Sequence, residues 1–509
     1  MNCKSMKKLK ILLITPNLNG VKDGLNRIQP PLGLMLIAAS LEKAGHIVKI
    51  HDTALEGWAN HKEISSRGLI EIGQNENEIA NVIKEFNPSI LGISVLFSNL
   101  LNSAHNIAKI AKNTNKKITT ILGGNHISNA VKDYEYNLIA KLPQLPDTIT
   151  ELEDSNFDYA VVGESDHGFV QIVNNLAENR SVIDLPGIVK KIGHKKFKIN
   201  HPERISDISN LHAPARHLVN MEGYFSIGAF HSAKSKSNRV LSVMCSRGCP
   251  EKCTFCTTPQ MWGQKVRWRN IDNIIEEIAD GIKNYKIGEI QFEDDTLTAN
   301  KKRLLELCSK LEKFGLPWCT PNGVKVNYHL ANQIDMFKAM NQAGCYQITL
   351  ACESGVQRVL NEVINKRLNV DQIKPAIENA KKCGMLVHSF WILGYPGESY
   401  EEINKTVEFA MNSGADSFSF AILSPLPGTP IYREVLKKNL WWDDKTSLKD
   451  ILYRSSLIKV DGFKDSTEFE KFVAEATLKA NSMLKENNPQ RFKLKYGENS
   501  SEINLAKQT

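Results

Sequence analysis

Short aliphatic runs alternate along this chain with longer stretches whose apolar positions recur every three or four residues. The first run, LKILLITP (9–16), is apolar at nearly every position, as a strand covered on both faces requires. PPLGLMLIAASLEKAGH follows with helical spacing and a glycine, Gly45, near its end. The rhythm repeats through IVKIHDT, NEIANVIKEF, SILGISVLF, a helix from about Asn102, ITTILGG, FDYAVVGE and GFVQIVNNLAEN. Strand and helix in strict alternation predict right-handed crossover units, hence a parallel sheet with helices on both faces, over residues 1–182. Residues 183–239 break the rhythm. GIVKKIGHKKFKIN predicts a hairpin with a charged tip, NLHAPARHLV a strap, and the whole segment reads as a linker.

From 240 the alternation returns, with strands RVLSVMC, EIQFEDD, PWCTPNG, YQITLAC, MLVHSFWILG and SFSFAILSPLP, each but the last followed by a helical stretch. Six units are too few for a closed eightfold barrel and suit a partial one over 240–435. Residues 436–509 read as a charged helical region with a frayed end. The fold class is therefore α/β: a flavodoxin-like (Rossmann-like) parallel-sheet domain, a linker, a partial (β/α)6 barrel and a helical C-terminal region.

Composition changes little in this picture. With 42% hydrophobic and 24% charged residues, the chain has the make-up of an ordinary soluble protein. No apolar run approaches the ~20 residues of a membrane span, and the N-terminal ILLI is too short for a signal peptide, so a cytoplasmic protein is expected. A net charge of +8 over 509 residues, with no arginine-rich arm, gives no sign of nucleic-acid binding.

The cysteines change it more. Of ten, three are packed into CPEKCTFC (249–256) directly after the first barrel strand. In a reducing compartment such a cluster points to metal before disulfide. A structural zinc site usually takes four protein ligands. A [4Fe–4S] cluster held by only Cys249, Cys253 and Cys256 leaves one iron open to a ligand.

The Cys249-xxx-Cys253-x-Phe255-Cys256 spacing resembles the radical S-adenosylmethionine (SAM) signature. That resemblance implies that the open iron chelates SAM, that Phe255 lies near the adenine, and that SAM is cleaved reductively to a 5′-deoxyadenosyl radical. Further stretches match at successive strand ends: FEDDTLT, with Asp294 and Asp295 for the SAM amino group; ACESG, with Glu353 and Ser354 for the ribose or carboxylate; and WILGYPGES, with Gly394 and Gly397 letting backbone approach the adenine. The alternative for either aspartate is a cap on the following helix.

The first domain lacks the GxGxxG fingerprint of a dinucleotide fold. It carries DTALEG (Asp52 to Gly57), SVL (Ser94 to Leu96) and GG (Gly123, Gly124) at consecutive strand ends. These resemble the DxHxxG, SxL and GG of the cobalamin-binding fold, with one departure: Ala54 stands where that family has its cobalt-ligating histidine. The resemblance implies that the glycines admit the cobalamin tail, that Ser94 bonds its dimethylbenzimidazole, and that the loop gives cobalt no lower ligand. His126 in GGNHIS and Glu164 in VVGESDHG are further candidates toward the corrin; a lone loop histidine is otherwise solvated or bonded to backbone.

Together these resemble the cobalamin-binding (class B type) radical SAM enzymes. They imply a methyltransferase that carries a methyl group from SAM through methylcobalamin to an unactivated carbon of a small molecule, natural-product or lipid-like, with electrons from a flavodoxin or ferredoxin. The alternative within the same architecture is rearrangement, ring contraction or cyclisation without net methylation. A methylthiotransferase would need a second cysteine trio, and only Cys3 precedes Cys245. A corrinoid carrier would not need the cysteine loop.

Overall fold

The computed structural model describes residues 7–22, 24, 26–65, 69–141, 152–232, 235–328, 333–443 and 455–496. Its first sheet holds the parallel strands Lys10–Thr15, Ile47–Asp52, Ile90–Ser94, Thr119–Gly123 and Tyr159–Val161. In space the second lies outside the first, and the third, fourth and fifth follow on its other side. The loops after Thr15 and Ser94 therefore diverge, the place where open sheets take ligands. The aliphatic runs behave as their composition requires. Leu12 and Ile14 enter the core on one face of the sheet, and Ile11 and Leu13 enter the core on the other. The helices that cover these faces end on local signals. Glu76–Phe86, for example, starts on a capping box of Asn75 and Glu78 and stops at Asn87 in the left-handed conformation.

The segment read as a linker is more than a connection. Its hairpin, Ile188–Gly193 with Lys196–Ile199, forms but adds two antiparallel strands to the edge of the first sheet beside Tyr159–Val161. Ile188 and Val189 are buried there, so the pairing covers an edge that would otherwise be open. Its remainder carries a helix, Met221–Ile227, packed against the DTALEG turn. The sequence reading also missed an antiparallel ribbon of Leu18–Val21, Leu69–Ile72 and His61–Glu63.

The second sheet has six parallel strands in chain order: Val240–Val243, Glu289–Phe292, Trp318–Lys325, Cys345–Glu353, Leu386–Leu393 and Ser417–Ile422. Alternation along Leu386–Leu393 separates two environments. Val387, Trp391 and Leu393 join the core, and Trp391 meets Phe409 of the following helix, Tyr400–Met411. His388, Phe390 and Ile392 point the other way and stay partly exposed, as do Ser419 and Ala421 on the next strand. Along these two strands the concave side is thus not packed shut by side chains, unlike the interior of a closed barrel. The last strand is followed by the helix Pro430–Lys438, and the long helix Ser466–Asn487 lies against that strand. The frayed tail expected beyond Tyr496 lies outside the described residues.

Candidate cofactor site

The cysteine loop leaves the first barrel strand through a two-residue ribbon, Ser246–Arg247 paired with Arg267–Trp268. It is held at both ends by backbone. The Cys249 amide donates to Gly263 O (3.1 Å), and the Thr254 amide and hydroxyl donate to Ile364 O and Val363 O (2.9 and 2.7 Å). Burial pushes the Cys249 thiol up to about 12 and that of Cys253 to about 11, and raises Cys256 as well. The neighbouring thiols add to the shift at Cys249. Three half-buried thiols whose ionisation is disfavoured, close enough for each to feel its neighbours' charge, are candidates to hold iron as thiolates. Cys245, Cys308, Cys319, Cys345 and Cys352 are buried in the packed core.

The two aspartates part company. Asp294 accepts from the Cys245 amide (2.9 Å) and the Ser246 hydroxyl and so clamps the end of the first strand. These bonds are not a cap on the next helix. Among the described residues Asp295 accepts only from Thr258 Oγ1 (3.2 Å), and its charge is felt at Cys249 and Cys256. Burial raises both carboxyls to about 6.

Glu353 sits in the left-handed region at φ 67°, and its carboxylate meets Lys366 at 2.9 Å with both side chains buried. Ser354 is consumed by the fold. Its hydroxyl bonds Thr406 Oγ1 (3.0 Å) and accepts from the Val356 amide. Gly394 is also structural, because a Cβ there would lie 2.7 Å from the Phe469 ring. Gly397 has nothing within 4 Å of its would-be Cβ and remains open.

Two residues of the same stretch escaped the sequence reading. The ring of Tyr395 lies 6.0 Å from that of Phe255. Its buried hydroxyl, and Oε1 of Glu398, have no hydrogen-bond partner among the described residues. The other Glu398 oxygen accepts from the Gly394 and Tyr395 amides (2.9 and 3.1 Å), and burial raises the carboxyl to about 7. Unpaired buried polar atoms beside an aromatic ring and an open glycine suit a polar, aromatic ligand such as SAM. GYPGES was visible as a motif, but only the ring and carboxyl geometry separates these side chains from their neighbours.

At the edge of the first sheet, Ser94 ends its strand, and Leu96 and Phe97 follow it 51% and 56% exposed. Large apolar side chains at strand ends suit a broad, partly apolar ligand. Gly123 has no neighbour within 3.8 Å of its would-be Cβ, which leaves a cradle at the strand end. Gly124 differs: it stands at φ 104°, and a Cβ would collide with Val95 backbone at 2.4 Å. These features fit cobalamin.

Several of the assigned residues are engaged within the fold. Asp52 caps the turn that follows it and accepts from the Tyr224 hydroxyl (2.6 Å). Ala54 is buried in the same apolar cluster as Tyr224, and Gly57 is needed because its backbone crosses that of Gly73. His126 opens the helix Asn125–Ala140 rather than lying in a loop; it is buried, with Nδ1 2.8 Å from Ser98 Oγ. Glu164 is bound by Arg267, whose Nη1 donates to its Oε2 at 2.7 Å, and so belongs to a contact between the two domains. Neither Ala54 nor its turn offers cobalt a nitrogen.

Comparison with known proteins agrees with this division. The Radical SAM superfamily model matches residues 243–410, and the B12 binding domain model matches 25–140. The chain is 33% identical over 493 residues to the cytidylyl-2-hydroxyethylphosphonate methyltransferase of Streptomyces wedmorensis, covering 91% of this chain and 88% of that one. It is 30% identical to an uncharacterized methyltransferase of Pyrococcus horikoshii, covering 86% and 85%. Its fold is similar to that of the radical SAM methyltransferase TsrM of Kitasatospora setae, solved with cobalamin and a [4Fe–4S] cluster bound (TM-score 0.64, 15% identity, covering 85% of this chain and 78% of that one). This chain belongs to the cobalamin-binding radical SAM methyltransferases.

Proposed function

We propose that the methyl acceptor is a small molecule seated on the concave side of the barrel, between the cysteine loop and the strand ends of the first sheet. The observation that carries this is the partly exposed row His388, Phe390, Ile392, Ser419 and Ala421, a mixed polar and apolar lining. His388 Nδ1 lies 2.7 Å from Ser417 Oγ and its Nε2 lies 3.2 Å from Ser419 Oγ, so the ring is oriented before a ligand arrives. When bound, the cluster with SAM supplies a hydrogen-abstracting radical and cobalamin supplies the methyl group.

The chain's own part is to hold and to exclude. Cys249, Cys253 and Cys256 hold iron; Phe255, Tyr395, Glu398, Gly397 and Asp295 surround SAM; Ser94, Leu96, Phe97 and Gly123 receive cobalamin. The covering domain keeps water and oxygen from the reacting carbon. A flavodoxin or ferredoxin supplies the electron.

The name of the Streptomyces relative supplies the first acceptor to try. Anaerobically reconstituted enzyme, reductant, methyl-labelled SAM and cytidylyl-2-hydroxyethylphosphonate should give a product heavier by one labelled methyl group. The same assay on small-molecule extracts tests other acceptors. If acceptor is consumed and 5′-deoxyadenosine accumulates while no product gains the label, the chain rearranges or cyclises its substrate instead.

A further inference from the structure

The stretch Val161–Gly168 puts two carboxylates into a loop at the carboxyl edge of the first sheet, and both side chains end up buried: Glu164 at 6% and Asp166 at 4% exposure. Buried carboxylates are costly unless each is fully paired. Here each meets an arginine of the other domain through two points. Arg247 donates from Nη1 and Nη2 to the two oxygens of Asp166 (2.7 and 2.9 Å), and its guanidinium stacks 4.7 Å over the Trp262 ring. Arg267 donates from both Nη atoms to Glu164, and also to Ile205 O and Trp262 O.

These two arginines are directly opposite each other on the ribbon Ser246–Arg247 and Arg267–Trp268. Like charges at opposed ribbon positions repel, so the ribbon depends on carboxylates that only the first domain supplies. The ribbon also fixes the cysteine loop. Gly248 lies at φ 107° against Lys265 O, and Cys249 follows it at once. A displacement of Asp166 is therefore passed through Arg247, and one of Glu164 through Arg267 and the ribbon it shares with Arg247, to the first iron ligand.

We infer that Asp166 and Glu164 are positioning residues that fix the cobalamin-bearing edge of the first sheet at a set distance and angle from the cysteine loop. Ion pairs of this kind contribute little net stability compared with apolar packing, but a two-point guanidinium–carboxylate contact is strongly directional. Direction is what the reaction needs, because a carbon radical formed at one cofactor must meet a methyl group held at the other. The inference rests on the reading that both cofactors serve one acceptor.

The test needs no acceptor. Full-length enzyme carrying cluster, cobalamin and SAM is reduced with dithionite, and the spin–spin coupling between Co(II) and the reduced cluster is read by electron paramagnetic resonance. The parent should show one defined coupling. Asp166→Asn and Glu164→Gln should keep the parent's iron and cobalamin content and its 5′-deoxyadenosine formation, yet lose the defined coupling to a broad spread. Arg247→Lys keeps the buried charge but not the fork, and should lose the coupling in the same way. An unchanged coupling in all three variants overturns the inference, and so does loss of cobalamin or iron from the carboxamide variants, which would make the carboxylates cofactor holders. A parent without cobalt or cluster signals would instead count against the functional reading.

Discussion

Alanine at Cys249, Cys253 or Cys256 should remove the iron and its visible charge-transfer absorption from a protein that otherwise holds about four irons and four sulfides per chain. Cys308→Ala or Cys345→Ala should keep the iron, because both thiols are buried in the packed core of the barrel domain. Iron and sulfide analysis after anaerobic reconstitution decides between these outcomes. The two glycines of GG separate just as cleanly. Gly123→Leu fills space that the fold leaves empty, so the apoprotein should unfold as the parent does while cobalamin fails to load. Gly124→Ala puts a Cβ into Val95 backbone and should lower apoprotein stability by about 1–3 kcal/mol, with or without cobalamin. Thermal unfolding together with cobalamin retention on gel filtration checks both; a Gly123→Leu protein that retains cobalamin would demote this edge to scaffold. Which residues can be read from sequence follows from where their partners lie. The three cysteines are local, and spacing alone singles them out as candidates. The roles of Asp294, Glu164 and Gly394 depend on Ser246, Arg267 and Phe469, distant along the chain, and a strand-end position alone says nothing of those partners.

Elements obeyed the same division between local and distant causes. Most of the parallel strands and their helices were legible because aliphatic runs alternate with stretches of helical spacing, and some helices carry their own caps, such as the box of Ser399 and Glu402 that starts Tyr400–Met411. The ribbon of Leu18–Val21, His61–Glu63 and Leu69–Ile72 was not, since strands of three or four residues show no period and His61–Glu63 is exposed throughout. The helix Ser466–Asn487 was expected as helix, but its docking was not. Phe469 is fully buried, meets Phe463 at 4.8 Å between ring centroids, and fills the space that Gly394 leaves beside the GYPGES turn. The C-terminal region thus supports the turn that carries Tyr395 and Glu398. Phe469→Ala should cost about 3–5 kcal/mol by the usual price of a vacated core site. It should also raise the KM for SAM more than it changes cobalamin binding, because the lost support lies under the SAM side alone. Urea unfolding and the SAM dependence of 5′-deoxyadenosine formation measure the two effects, and equal weakening of both cofactors would contradict this placement.

Across the whole molecule, the two domains meet through polar contacts at the carboxyl edges of both sheets. Glu164 with Arg267, Asp166 with Arg247, Asp133 with Arg433 and Lys132 with Gln260 O are among these contacts, and Asp52 meets Tyr224 of the segment between the domains. Asp133 makes this contact sensitive to pH. Its side chain is fully buried, accepting from the Gly428 amide and from Arg433 Nε (3.0 Å), and burial raises its carboxyl from 3.8 to about 6 despite the arginine. The folded chain therefore keeps this proton over a range of pH in which the unfolded chain has already released it. By linkage, the contribution of Asp133 to stability is greatest below about pH 4 and declines as the pH rises through about 6, by at most about 3 kcal/mol. Asp133→Asn carries no such proton. Relative to the parent, the variant should gain stability as the pH rises from 4 to 7, even though it gives up the ion pair with Arg433. Urea midpoints of the two apoproteins at several pH values across that interval supply the difference directly. A difference that stays flat, or that grows on acidification, would show that Asp133 is an ordinary ionised partner of Arg433 and that burial does not govern this contact.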